Sequence, residues 1–180
     1  MGLPKIQLTG YIYFVTIVVQ NRIKLFTTAS YVIPLLDSFN FYRYKHPFKL
    51  LGYVIMPDHI HWLMWPAETV KLGDVMRDFK KFTAVRLIRQ AEIEQNEGYV
   101  QAFQRAGQKS GHSFNKVWQD DYWDKLVYSE RFLREKLHYM HRNPVRARLV
   151  VEPQEYPYSS YRNYVSDDDS FIKIDKDWLL

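Results

Sequence analysis

Apolar residues recur along this chain in two rhythms. From Tyr11 to Val19 nearly every position is β-branched or aromatic, which predicts a strand buried on both faces. Thr27, Thr28 and Ser30 then offer N-caps to a helix whose apolar positions Val32, Leu35, Leu36, Phe39 and Tyr42 follow helical spacing, with Pro34 early in it and Pro47 closing it. Phe48 to Met56 and His59 to Trp65 read as two more strands joined at Pro57-Asp58, a tight turn, so they form a hairpin that Pro66 ends. The rhythm then turns helical from Thr69 to about Glu94, with Val70, Val75, Phe79, Phe82, Val85 and Leu87 or Ile88 as the buried stripe. A short helix at 99–106 and a Gly/Ser-rich stretch from Gly107 to Ser113 follow, the latter expected to be mobile. A fourth strand is expected at Tyr122–Val127. Ser129-Glu130 opens a last helix with Phe132, Leu133, Leu137 and Met140 on one face, expected to end near Asn143 because Pro144 disfavours helical geometry before it.

The order βαββαβ plus a helix is that of an α+β, ferredoxin-like antiparallel sheet with two helices on one face and an added C-terminal helix. One domain over residues 1–164 is expected, with an acidic tail at 165–180. Cysteine is absent, which excludes disulfide scaffolds, thiol nucleophiles and cysteine-based metal sites. The apolar run Tyr11–Val19 is about half of what a membrane span needs, and only Lys5 precedes it, so neither a membrane anchor nor a signal peptide is expected. Charge is uneven. Residues 165–180 carry five Asp against two Lys, and the rest of the chain holds a net +8. That basic body has 17% aromatic residues, a combination that suits phosphates and stacked bases.

His59-Ile60-His61 lies inside the third strand, where alternation puts both imidazoles on one face. Two such donors can chelate one divalent ion, but a third ligand must come from elsewhere. On the last helix Tyr139 and Asn143 stand four apart on one face. A phenol is a poor nucleophile near neutral pH, and becomes useful when its target is polarised, as in a metal-bound phosphodiester. Two histidines on a solvated face, and a tyrosine that merely packs, are the plain alternatives. Basic side chains that could hold DNA are Arg142, Arg146 and Arg148 beside the tyrosine, and Lys80, Lys81 and Arg86 on the long helix, which could equally form a solvated face. Trp118, Tyr122 and Trp123 are candidates for base stacking or for the core. Gly107-Gln-Lys-Ser-Gly-His112 lacks P-loop spacing. The Asp167–Asp169 run reads as a charged tail rather than a metal site.

Tyr53-Val-Ile-Met-Pro-Asp-His-Ile-His-Trp-Leu-Met64, then Tyr139-Met-His-Arg-Asn-Pro-Val-Arg-Ala-Arg-Leu-Val150, then Tyr156-Pro-Tyr-Ser-Ser-Tyr161, resemble the IS200-like single-tyrosine transposases, and among them the REP-associated branch. The resemblance implies a ferredoxin-like HUH endonuclease acting in the bacterial cytoplasm, at the nucleoid. It carries the HUH motif onto His59 and His61, the third ligand of Mg²⁺ or Mn²⁺ onto Asn143, and the nucleophile onto Tyr139. It implies attack on single-stranded or hairpin DNA at palindromic repeats, a 5′-phosphotyrosine, and a freed 3′-hydroxyl that later rejoins strands without ATP. Relatives act as monomers or as homodimers. The chain departs from the family pattern at Asp58, where Asn is frequent, and at Arg148, where Gly is frequent; residues 95–115 match nothing clearly. A non-catalytic binding module on the same fold, or a metal-dependent hydrolase using water, are the other readings.

Overall fold

The structure, a computed structural model, describes residues 8–110 and 115–179. Strands β1 (Ile12–Val18), β2 (Phe48–Met56), β3 (His59–Pro66) and β4 (Trp123–Val127) form one sheet in the order β2-β3-β1-β4, with every pairing antiparallel. That is the ferredoxin-like arrangement expected. Helices α1 (Ala29–Lys45) and α2 (Leu72–Ile93) cover one face, and α3 (Glu97–Lys109) leads back towards β4. Helix α4 (Glu130–Arg146) covers the other face, and a short α5 (Tyr161–Val165) follows.

Strand alternation divides the core into two layers. Tyr13, Val15, Ile17, Ile60, Trp62 and Met64 meet Leu35, Phe39, Met76 and Phe79 under α1 and α2. Phe14, Leu51, Val54 and Leu63 meet Leu133 and Met140 of α4. The stripe expected on α2 is shifted. Phe82 and Val85 are exposed, while Leu72, Met76, Thr83 and Ala91 are buried. Thr83 can take a core position because its hydroxyl donates to the Phe79 carbonyl at 2.7 Å and accepts from the Trp118 indole at 3.0 Å.

Helix α4 does not stop at Asn143 but continues through Pro144 to Arg146. Proline forfeits only one bond in this last turn, and three backbone bonds of 2.9 Å close it: Ala147 to Asn143, Arg148 to Val145 and Leu149 to Pro144. The last two make a Schellman closure with Arg148 in the left-handed region, φ +56°. Part of the Gly/Ser-rich stretch is also helical, since α3 runs to Lys109; residues 111–114 lie outside the described chain.

The acidic segment after residue 164 packs against the domain. Ile172 and Ile174 are buried, Arg43 pairs with Asp175 at 2.6 Å, and Asp175 exchanges bonds of 2.7 and 2.8 Å with the backbone of Leu50. Further along the same edge, Ile55 donates to the Tyr158 carbonyl and Ser160 to the Tyr53 carbonyl, both at 2.9 Å. The outer edge of β2 is thereby covered rather than left open to other strands.

Asp78 ties α2 to the end of α1, accepting from Lys45 at 2.9 Å, meeting His46 Nε2 at 3.0 Å and accepting from Arg77 at 3.1 Å. The Lys45 bond foremost, with those of His46 and Arg77, holds its carboxyl below the usual carboxylate range against the opposing effect of burial. A lowered carboxyl pKa means the unfolded chain binds more protons in acid, so this stabilisation is full above about pH 4 and is lost as pH falls. Lys45 and Arg77 face solvent, so Asp78→Asn is expected to cost about 1 kcal/mol at pH 7. The gap from wild type should narrow below about pH 4, read by urea unfolding at both pH values.

Candidate active site

The turn at Pro57-Asp58 is pinned by backbone bonds from Phe26 to Pro57 at 2.9 Å and from Val19 to Asp58 at 2.8 Å. Strand β3 leaves this turn with His59 and His61 both on the α4 side, their rings 4.7 Å apart and nearly perpendicular. Each imidazole is steered through Nδ1. His59 Nδ1 meets the Asp58 carboxylate at 2.5 Å, and His61 Nδ1 meets the Thr16 hydroxyl at 2.7 Å. In the neutral tautomer with Nδ1 as donor, an imidazole keeps its lone pair on Nε2. Asp58, the departure from the family pattern, thus orients His59, and Arg22 holds the other carboxylate oxygen at 3.0 Å. Burial resists ionisation of Asp58, but the bonds and charges of His59 and Arg22 outweigh it and keep its pKa low.

Helix α4 brings the remaining residues. The Tyr139 ring lies 5.7 Å from that of His61 and 6.1 Å from Phe14, edge-on to both, and is 36% exposed. Asn143 sits one turn further along the helix; the residue is half-buried, and its Nδ2 is buried with no hydrogen-bond partner among the described residues. Amide nitrogen and oxygen exchange places by a half-turn, so the same position can present an acceptor to a cation. Among the described residues no group of three His, Cys, Asp or Glu side chains gathers. His59 and His61 stand on β3, and Asn143 on α4, the helix that packs over it. Burial, reinforced by the nearby His59 and Lys136 charges, pushes the His61 pKa down to about 3. It is consequently neutral, the form a metal requires, throughout the physiological range.

Two features seat α4 against the sheet. Gly52 on β2 leaves room for it, since a Cβ there would stand 2.7 Å from Leu137 Cδ1 and 2.9 Å from Met140 Cε. His141, buried one turn from Leu137, meets Ser160 Oγ at 2.8 Å, and that hydroxyl also accepts from the Tyr53 amide at 3.0 Å. The third sequence motif is therefore a clamp on the tyrosine helix.

The expected cations divide by location. Arg146 lies 5.5 Å over the Tyr139 ring, Arg142 is exposed on the same helix, and Arg148 follows its end. Lys80, Lys81 and Arg86 belong to α2, across the sheet from the histidines. Lys80 donates to the carbonyls of Gln119 and Asp120 at 2.7 and 2.6 Å, and with Lys81 it lines a groove of ≈ 1100 Å³ between α2 and residues 115–122. Arg86 caps Phe82 at 5.7 Å and pairs with Asp37 at 3.3 Å. Lys136 is a cation that escaped the sequence reading. Lys136 stands 5.7 Å over Tyr139 and 5.3 Å over Phe14; its only signal was its place three residues before Tyr139.

The sequence signature of the family described as "Transposase IS200 like" matches residues 7–137. This chain belongs to the IS200-like transposase family. It is an enzyme of the single-tyrosine class. Within that class the transposase is similar to a Haemophilus influenzae protein provisionally named a REP-associated tyrosine transposase, at 28% identity over 87% of this chain and 82% of that one. It is 24% identical to the REP-associated tyrosine transposase of Escherichia coli over 87% of this chain and 80% of that one. The solved structure of a REP-associated tyrosine transposase bound to a REP hairpin shares its fold, with a TM-score of 0.68 at 19% identity over 93% of this chain and 87% of that one. The motif resemblance and the fold expected from it are thus both found. Among the described residues, no helix of the transposase is long and apolar enough to cross a membrane.

Arg148 holds a left-handed backbone position that glycine adopts without strain. Arg148→Gly should raise unfolding stability by about 1 kcal/mol, measured by thermal or urea denaturation.

Proposed function

We propose that this transposase nicks and rejoins single-stranded DNA beside a hairpin, with Tyr139 as nucleophile and a divalent cation held by His59, His61 and Asn143. The observation that carries the reading is the 5.7 Å approach of the Tyr139 ring to His61 within one chain. The reading has Tyr139 act on a phosphate held at the histidines of its own chain. Hairpin DNA is the favoured substrate because the chain is similar in fold to a protein solved with a REP hairpin.

The donor set suits an ion of the Mg²⁺ or Mn²⁺ class, with Mn²⁺ favoured by the two imidazoles. Such an ion, when bound, polarises the scissile phosphate and neutralises charge gathering on its oxygens. Asp58 and Thr16 hold the two imidazoles in the tautomer that offers Nε2. The Tyr139 oxygen bonds to phosphorus as the bond from phosphorus to the 3′-oxygen breaks. The phenol proton passes to solvent and the departing 3′-oxygen takes one up, leaving a 5′-phosphotyrosine and a 3′-hydroxyl. The reverse attack by a 3′-hydroxyl rejoins strands with no external energy source. Lys136 and Arg146, both over the Tyr139 ring, offset negative charge at the phosphate and the phenol oxygen. Arg142 and Arg148 extend the basic surface along the flanking backbone.

Incubation with end-labelled hairpin DNA and Mn²⁺ should give a covalent protein–DNA adduct on a denaturing gel. Tyr139→Phe should abolish the adduct while leaving salt-dependent binding. Cleavage that survives Tyr139→Phe would identify a hydrolase using water, and binding without cleavage in either ion a non-catalytic module. A finer expectation concerns Thr16→Val, which removes the partner of His61 Nδ1. It should raise the Mn²⁺ concentration needed for half-maximal cleavage about 10- to 100-fold at unchanged DNA affinity.

A further inference from the structure

Three aromatic residues near β4 have quite different fates. Trp118 is 4% exposed and bonded to Thr83, and Tyr122 packs on the inner core, whereas Trp123 is 74% exposed. The indoles of Trp65 and Trp178 also have partners, in the Gly10 carbonyl and the Tyr164 hydroxyl. No hydrogen bond from the Trp123 indole is found among the described residues. A tryptophan ring left in water forgoes a large burial gain, so an exposed one invites a ligand with a flat apolar face.

The sheet register says which face it serves. Val54 pairs with His61, His61 with Thr16, and Thr16 with Trp123, one row across all four strands. Residues directly opposite in antiparallel strands point to the same side, so Trp123 shares the face of His61 and Tyr139. Two strand spacings put it about 10 Å from His61. The next row runs Leu63–Phe14–Lys125, placing an exposed lysine beside it on the same face. Lys125 is near enough to Lys136 that its charge adds to burial in lowering the Lys136 pKa. A flat ring and a row of cations leading to a tyrosine is the pattern that grips single-stranded nucleic acid.

We propose that Trp123 is a stacking platform for one base of the single strand flanking the phosphate attacked by Tyr139, with Lys125 and Lys136 holding the intervening backbone. Trp123 is thus a DNA-binding residue. The inference rests on the nicking reading above but can fail separately from it.

The test measures Kd by fluorescence anisotropy in EDTA, using a hairpin with a single-stranded flank and a set in which each flanking nucleotide in turn is abasic. Trp123→Ala should raise Kd about 5- to 100-fold, and Trp123→Phe should recover most of the loss. One abasic position should weaken wild type equally and make Trp123→Ala silent. An unchanged Kd, a loss independent of abasic position, or a change of oligomeric state in sedimentation would overturn the proposal, the last marking a protein-binding patch instead. If wild type forms no adduct while the position-specific effect stands, the nicking reading fails and the platform survives.

Discussion

The site exists because a helix is allowed to lie very close to a sheet. Gly52 presents no side chain where α4 crosses β2, and Leu137 and Met140 occupy the space a Cβ would need. A side chain there would have to displace those two methyl groups, which fill the gap between α4 and the sheet. The same helix carries Tyr139 and Asn143, so the seat that Gly52 leaves open lies beneath the helix of the site although β2 carries none of the chemistry.

The second requirement is that the two imidazoles keep one orientation. Both Nδ1 atoms are committed, one to Asp58 and one to Thr16, and the Asp58 turn is itself tethered to Val19 and Phe26. Each tether comes from an element bordering β3, so the histidines are braced from the turn and from β1 at once. This bracing costs little, because the bonds are to groups already ordered by the sheet. Lys136 and Arg146 then set positive charge over the tyrosine ring, whose other ring contacts are Phe14 and His61.

The chain also shows why net charge is a coarse guide. Its basic side chains lie on two opposite faces, and on α2 Lys80 and Arg86 are bound to carbonyls and to a carboxylate of the protein itself. The acidic segment likewise uses Asp175 and Asp177 on Arg43 and Lys49. Within these segments the charges join elements as well as meeting solvent.

Local pattern determined a good deal. The β-branched runs, the proline stops and the helical stripes gave the strand and helix order, and alternation alone put His59 and His61 on one face. Spacing on a helix put Tyr139 and Asn143 on one face in the same way. What pattern could not give was the partner of each face. The α2 stripe slipped to Met76 and Thr83 because burial there depends on Trp118, which is distant in sequence. Pro144 stayed helical because the local preference against it was outweighed by downstream bonds and burial. Residues after 164 read as an acidic tail because their charges are visible in sequence, while the strand edge that receives them is not. Trp123 could not be told from Trp118 by composition, since exposure is set by which corner of the sheet α4 leaves uncovered. Periodicity is a property of a segment and is written in it; contact between segments is settled by the free energy of the whole chain, and appears only in the tertiary structure.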